Sequence, residues 1–208
     1  MGANVEQPHD ACHDDDASGL SKSSILLTGG ASRRMGIDKA DLLVNGEPLG
    51  HRLAHKLRSA GWEPTVLGRA PIQDYQFFPD KDMFAGPLAA LRAFSPASEL
   101  VFVLSCDVPL FDGSVCAILN RAISHCNAVI PMISGKLQPL CALYRFSAWT
   151  SLTQLRSERV LDWITHLNAR VLDDLALTTL GIHPEWCASA NTPSELAKLL
   201  KNQTSPNF

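Results

Sequence analysis

Short apolar runs alternate with helically spaced ones along most of the chain. Ile25-Leu26-Leu27, ending at Gly29-Gly30, predicts a buried strand. Thr65-Val66-Leu67 predicts a second, and residues 75–78 a third, stopped by Pro79. Residues 100–104 (LVFVL) are five apolar positions with no polar alternation, the pattern of a mid-sheet strand covered on both faces. Ala128-Val129-Ile130 and residues 140–144 complete the set, with Arg170-Val171-Leu172 as a late edge strand. Between them lie helical patterns. One opens at Pro48 and ends before Gly61, with Leu49, Leu53 and Leu57 as its inward row. Others cover residues 87–94, 113–123, 158–167 and 193–201. Thr192-Pro193-Ser194-Glu195 is a strong helix start: a capping hydroxyl, proline at the first position and an acid in the first turn. Strand–helix alternation of this kind predicts an α/β fold, a single three-layer domain with a mostly parallel central sheet between helices. No internal repeat interrupts it.

The two ends break the pattern. Residues 1–22 are polar, acidic and aperiodic, and predict a disordered acidic N-terminal extension; the domain proper then runs over 23–201, with 202–208 as a C-terminal tail. Charge follows this division. The whole chain carries −3, residues 1–24 carry −4, and the remainder is close to +1. A nearly neutral body argues against a nucleic-acid binder and requires that any anionic substrate find a local site. No window approaches 18 consecutive apolar residues, and no basic start precedes an apolar run. Neither a membrane span nor a secretory signal is therefore expected, and the predicted location is cytoplasmic.

Six cysteines (Cys12, Cys106, Cys116, Cys126, Cys141, Cys187) are scattered, five of them in or near apolar segments, with no CxxC and no paired zinc spacing. They are expected to be reduced, buried thiols. His9, Cys12, His13 and the aspartates beside them could hold a metal in principle, but they sit in the segment expected to be solvated tail. His51 and His55 have the i, i+4 spacing of a metal pair, yet lie about 200° around the helix from the leucine row and are expected to face solvent. His125, His166 and His183 are expected at the surface or at helix ends.

The chemistry concentrates after the first strand. Residues 25–40 read ILLTGGASRRMGIDKA: an apolar strand feeding a loop with Gly29, Gly30 and Gly36, then Arg33, Arg34 and Lys39. Glycines let backbone N–H groups approach an anion closely, and the cations can neutralise phosphate oxygens. The carboxyl end of a strand in an open α/β sheet is where ligands sit. The loop is neither a GxxxxGK[ST] phosphate loop nor a GxGxxG dinucleotide fingerprint, which lowers the weight of a P-loop NTPase and of an ordinary NAD enzyme. Downstream, Asp107 follows the strongest strand after Ser105 and Cys106. A carboxylate there must be solvated, paired or metal-bound. Beside a phosphate loop it suits Mg²⁺, which takes one or two carboxylates with substrate phosphates and water, although a turn residue ahead of Pro109 is the plain alternative.

LTGGASRRMGIDK resembles the signature L-x-G-G-x-S-x-R-M-G-x-x-K of nucleotidyltransferases that activate sugars and cofactors. With two consecutive glycines it is most similar to the molybdenum cofactor guanylyltransferase family. AGPLAAL at 85–91, LSCDVPLF at 104–111 and NTPSEL at 191–196 resemble that family's later segments, in order, so the resemblance covers about residues 24–200. It implies a Rossmann-like nucleotidyltransferase (glycosyltransferase-A-like) architecture. It further implies transfer of GMP from GTP to the terminal phosphate of molybdopterin or the molybdenum cofactor, with release of pyrophosphate. Arg34, Lys39 and Asp107 would be catalytic, and Asp107 would hold Mg²⁺. Leu27, Thr28, Gly29, Gly30, Lys39, Asp80 and Asp107 would bind GTP, with Asp82 a competitor for the place of Asp80. Arg159 and Asn191 would meet the pterin, and Gln138 faces either the acceptor or a strand edge. Ser189 stands where the family has a first asparagine, and Thr28 where alanine is commoner. A transient molybdoenzyme or cofactor-delivery protein is the partner such a product implies. The alternatives are a cytidylyltransferase or another nucleotidyltransferase with a different acceptor, and a non-catalytic nucleotide-binding protein.

Overall fold

The structure, a computed structural model, describes residues 19–29, 38–80 and 86–202. In chain order the strands are β1 (Lys22–Leu27), β2 (Leu43–Val44), β3 (Glu47–Pro48), β4 (Pro64–Gly68), β5 (Gln76–Pro79), β6 (Leu100–Ser105), β7 (Ala128–Ile133), β8 (Lys136–Leu137), β9 (Cys141–Arg145) and β10 (Ala169–Leu172). The helices are α1 (Leu49–Ser59), α2 (Gly86–Ala93), α3 (Ser114–Ala122), α4 (Ser147–Gln154), α5 (Val160–Ile164), α6 (Asp174–Thr179) and α7 (Pro193–Asn202).

The main sheet runs β10-β7-β9-β6-β1-β4-β5, with β8 paired to β7. Its pairings are parallel except those made by β9 with β6 and β7 and by β8 with β7. That is the expected α/β fold with a mixed, mostly parallel sheet. Residues 100–104 sit at its middle and are fully buried, as their uninterrupted apolar run requires. The chain moves from β1 to β4 on one side and returns to β6 on the other, so β1 is a topological switch point. A crevice opens outside the carboxyl ends of such strands.

Two apolar layers fill the two faces. Leu26, Phe102 and Leu104 point toward α1 and α3, meeting Leu53, Leu57, Val115 and Leu119. Ile25, Leu27, Val101 and Val103 point the other way, toward Leu88 and Leu91 of α2, Trp149 of α4 and Trp163 of α5. Tyr144 stacks on Trp163 with centroids 4.7 Å apart. The polar atoms of these buried aromatics are satisfied: Trp149 Nε1 donates to the Leu91 and Phe94 carbonyls, Trp163 Nε1 to Ala148 O, and the Tyr144 hydroxyl to Pro139 O.

The structure alters several expectations. Pro48 is not the first helical residue but the cap before it, and the first N–H of α1 donates to Leu42 O instead (2.8 Å). Helix α5 is five residues rather than ten: residues 155–159 run as an extended approach tied by Arg92 to the Leu155 and Ser157 carbonyls, and residues 165–167 leave the helix in a turn. Helices α4 and α6 were not expected. The β2–β3 hairpin was also missed, though its Asn45-Gly46 turn, with φ of 54° and 84°, is the strong short-range signal for one. The folded part starts earlier than residue 23: Leu20 packs on the core, Ser21 bonds Glu99, and Lys22 begins β1. Asn202 still belongs to α7. Residues 1–18 and 203–208, and with them most of the expected tails, lie outside the described residues. Cys106, Cys116, Cys141 and Cys187 are buried and free, whereas Cys126 is only half-buried. His55, His125, His166 and His183 are exposed, but His51 is half-buried.

Candidate active site

At the switch point the backbones of β1 and β4 close on each other just past their last paired residues. Thr28 N donates to Leu67 O (2.9 Å), and Asp80 N, arriving from β5, donates to Gly68 O (2.8 Å). Gly29 and Gly68 make this approach possible. A Cβ on Gly29 would stand 3.3 Å from the Asp80 Oδ2 and 3.4 Å from the Gly68 Cα. A Cβ on Gly68 would stand 1.9 Å from Thr28 Oγ1. The strand ends therefore form a floor without side chains at two positions, flanked by a threonine hydroxyl and an aspartate carboxylate. Leu27, Thr28, Gly29 and Asp80 are brought together here, while Gly30, Arg34 and Asp82 lie outside the described residues. Gly68 was not singled out from the sequence; its only signal was a glycine closing a β run.

A second cluster forms one strand over. Asp38 caps a short 3₁₀ turn (Lys39–Asp41), its side chain accepting from Ala40 N at 3.1 Å. That turn aims Lys39 inward, and its Nζ donates to Ala190 O (2.8 Å). Ala190 N in turn donates to Asp107 O (2.7 Å). Lys39 and Asp107, far apart in sequence, thus meet on one stretch of late backbone, and Ala190 is a residue that sequence reasoning had no reason to choose.

Asp107 is half-buried as a residue, yet its Oδ1 is buried and has no hydrogen-bond partner among the described residues. Burial raises its carboxyl above the ordinary carboxylate range, against the opposing pull of the Lys39 ammonium and the Ser105 hydroxyl. A buried carboxylate oxygen with no partner is costly unless a cation or a proton answers it. The adjoining Cys106 thiol is pushed far up by burial and is no nucleophile.

The last segment of the site is the start of α7. Thr192 Oγ1 accepts from Glu195 N (3.2 Å), while a Glu195 carboxylate oxygen accepts from Asn191 N (2.6 Å) and Thr192 N (3.0 Å). This reciprocal cap fixes the turn that presents Asn191 and carries Ala190 to Lys39. An apolar groove of about 260 Å³ adjoins it, lined by Leu42, Pro193, Leu196 and Leu200 with Asp38 and Lys39 at one end. Arg159 lies elsewhere. It is exposed, it opens α5 in the opposite helical layer, and among the described residues no hydrogen bond or ion pair joins it to Asn191. Gln138 is buried, and its side-chain amide donates to Lys136 O (3.2 Å), a local bond that serves the β8–β9 turn.

Three comparisons bear on this arrangement. Residues 24–172 match the family model of the MobA-like NTP transferase domain. A "probable molybdenum cofactor guanylyltransferase" of Carboxydothermus hydrogenoformans is 28% identical over 189 residues, covering 85% of this chain and 93% of the relative. A protein of the same name from Haloferax mediterranei is 32% identical over 169 residues, covering 73% of this chain and 80% of its own. Among solved structures, a molybdopterin-guanine dinucleotide biosynthesis protein A from Archaeoglobus fulgidus superposes with a TM-score of 0.71 at 21% identity, covering 88% of this chain and 98% of that one, a likeness of fold.

Proposed function

The chain belongs to the MobA-like NTP transferase family, and from that premise we propose that it is a molybdenum cofactor guanylyltransferase. It transfers GMP from GTP to the terminal phosphate of molybdopterin or of the metal-loaded cofactor. A phosphate oxygen of the acceptor attacks the α-phosphorus, the bond from that phosphorus to the bridging oxygen of the β-phosphate breaks, and pyrophosphate leaves. The nucleophile is already anionic at neutral pH, so the protein need supply no general base. Positioning and charge neutralisation carry the rate.

The observation that supports this reading best is the meeting of Lys39 and Asp107 beside the switch point, tied to each other through Ala190. Lys39 reaches phosphate oxygens from one side. On the other, Asp107 Oδ1, without a hydrogen-bond partner among the described residues, fits a hard cation, and one carboxylate with substrate phosphates and water is the set Mg²⁺ prefers. Bound there, Mg²⁺ would offset charge on the transferring phosphates and the leaving pyrophosphate. Arg34, from the loop, is the further catalytic cation. Leu27, Thr28, Gly29 and Gly30 offer backbone groups to the guanine, with Asp80 closing that end. Asn191, presented by the α7 cap, contacts the pterin. Arg159 is proposed as a pterin contact from the far layer, reaching the acceptor only where the ligand extends past the sheet edge.

The test is incubation of the chain with each nucleoside triphosphate, Mg²⁺ and molybdopterin, followed by mass analysis of the product. A guanine dinucleotide with stoichiometric pyrophosphate is expected. In parallel, GTP at 100 times its dissociation constant should add roughly 2.7 kcal/mol to the folded state, and CTP at the same concentration much less. A cytosine dinucleotide, with greater stabilisation by CTP, overturns the guanine assignment.

A further inference from the structure

Thr28 and Gly68 are two halves of one fit. Any Cβ at position 68 would stand 1.9 Å from Thr28 Oγ1 and 3.1 Å from Gly29 N, so no side chain can occupy that position while the hydroxyl is where it is. The hydroxyl fills space at the strand-end floor that a residue on β4 would otherwise fill. It is nearly buried, with Thr28 8% exposed. Its one hydrogen is directed at the Leu67 carbonyl (3.4 Å), the same carbonyl that takes the Thr28 backbone N–H. A hydroxyl that donates to the protein in this way offers a ligand its acceptor lone pairs. The next residue, Gly29, carries no side chain, and the Asp80 carboxylate borders it, 3.3 Å from where a Cβ would stand. Acceptors at this end of the floor suit a base edge that carries donors. Guanine has such an edge in N1–H and its 2-amino group.

Resting on the guanylyltransferase reading, we propose that Thr28 Oγ1 is a specificity-determining group of this chain, accepting a hydrogen bond from the guanine 2-amino group, with Gly68 left bare to make room for it. Inosine triphosphate is the clean probe, because hypoxanthine keeps N1–H and the 6-oxygen and lacks only the 2-amino group.

The experiment is calorimetric titration of the full chain with GTP and with inosine triphosphate in Mg²⁺, alongside thermal melts. The wild-type chain should bind GTP about tenfold more tightly, one net hydrogen bond's worth. Thr28→Val keeps the shape over Gly68 but removes the acceptor, and should bring the two dissociation constants within about twofold by weakening GTP. Thr28→Ser keeps the acceptor and should keep most of the preference. Gly68→Ala should melt lower than wild type and lose the preference, and adding Thr28→Ala should recover part of the melt, because the colliding oxygen is gone while the tight contacts to Gly29 N and the residue-28 Cβ stay. Equal weakening of both nucleotides by Thr28→Val, or a full preference retained by it, overturns the proposal. So does a Gly68→Ala protein that melts and discriminates like wild type. GTP bound without preference over inosine triphosphate removes this proposal alone. Absence of any GTP binding by the wild-type chain removes the guanylyltransferase reading and the proposal with it.

Discussion

Asp107 carries its charge in a place where burial disfavours it. Its carboxyl is raised above the ordinary range, so ionisation costs folding stability instead of adding to it. The cost is absent below the unfolded carboxylate value, about 3.9, and grows as pH rises through the folded one. Asp107→Asn should therefore melt at or above wild type at neutral pH, with the two melting curves converging below about pH 4. The same variant should lose most transferase activity, and raised Mg²⁺ should recover part of it. Initial rates against Mg²⁺ concentration check this, and superimposable curves for the two proteins would return Asp107 to a turn residue. Lys39→Ala should cost roughly 2–4 kcal/mol of transition-state stabilisation, the scale for losing one electrostatic donor, with the fold kept. A single-turnover rate within a few-fold of wild type would contradict that role. Both residues were legible in the sequence by type and place: a cation after a glycine loop, and a carboxylate after a buried strand. Their connection was not, because it runs through the main chain of Ala190, and a backbone carbonyl leaves no mark in residue identity.

At the level of elements, the legible parts were those in which one periodicity or one cap dominates. Residues 100–104 could only be a central strand, and Thr192 with Glu195 could only begin a helix. Replacing Thr192 by Ala should cost about 1 kcal/mol, the usual worth of an N-cap, read as a lower urea midpoint with unchanged slope. Because the cap also holds Asn191 in place, KM for the acceptor should rise more than KM for GTP. An equal rise in both would mean that the turn serves only α7. Helices α4 and α6 were missed for a physical reason. Each is short, and α4 is held by Trp149 donating across to α2 rather than by its own propensity. The antiparallel β9 was anticipated as a strand but not as an inversion, since strand direction is decided by partners distant in the chain.

For the whole molecule, the expected boundary at residue 23 cuts into structure. Removing residues 1–22 deletes Leu20 from the core edge, the Ser21 bonds to Glu99 and the first residue of β1. Truncation after residue 18 spares all of these. The longer deletion should melt about 2–4 °C below the shorter one, the shift expected from roughly 1 kcal/mol in a domain of this size. Identical melts would place the true start of the domain after Lys22. Among the described residues no helix is long and apolar enough to cross a membrane.

The bond from Lys39 to Ala190 spans 151 positions. Its consequence is one of timing during synthesis. The strands that frame the switch point, β1, β4 and β6, are all made by residue 105, so a growing chain can assemble the strand-end floor early. The anchor for Lys39 arrives only with residue 190, well after those strands. A chain released early, after β10 but before Ala190, would retain the strands of the main sheet, and Lys39 would have no carbonyl on which to rest. Assembly of the candidate site is thereby deferred until residue 190 has been made, long after the strands that frame it.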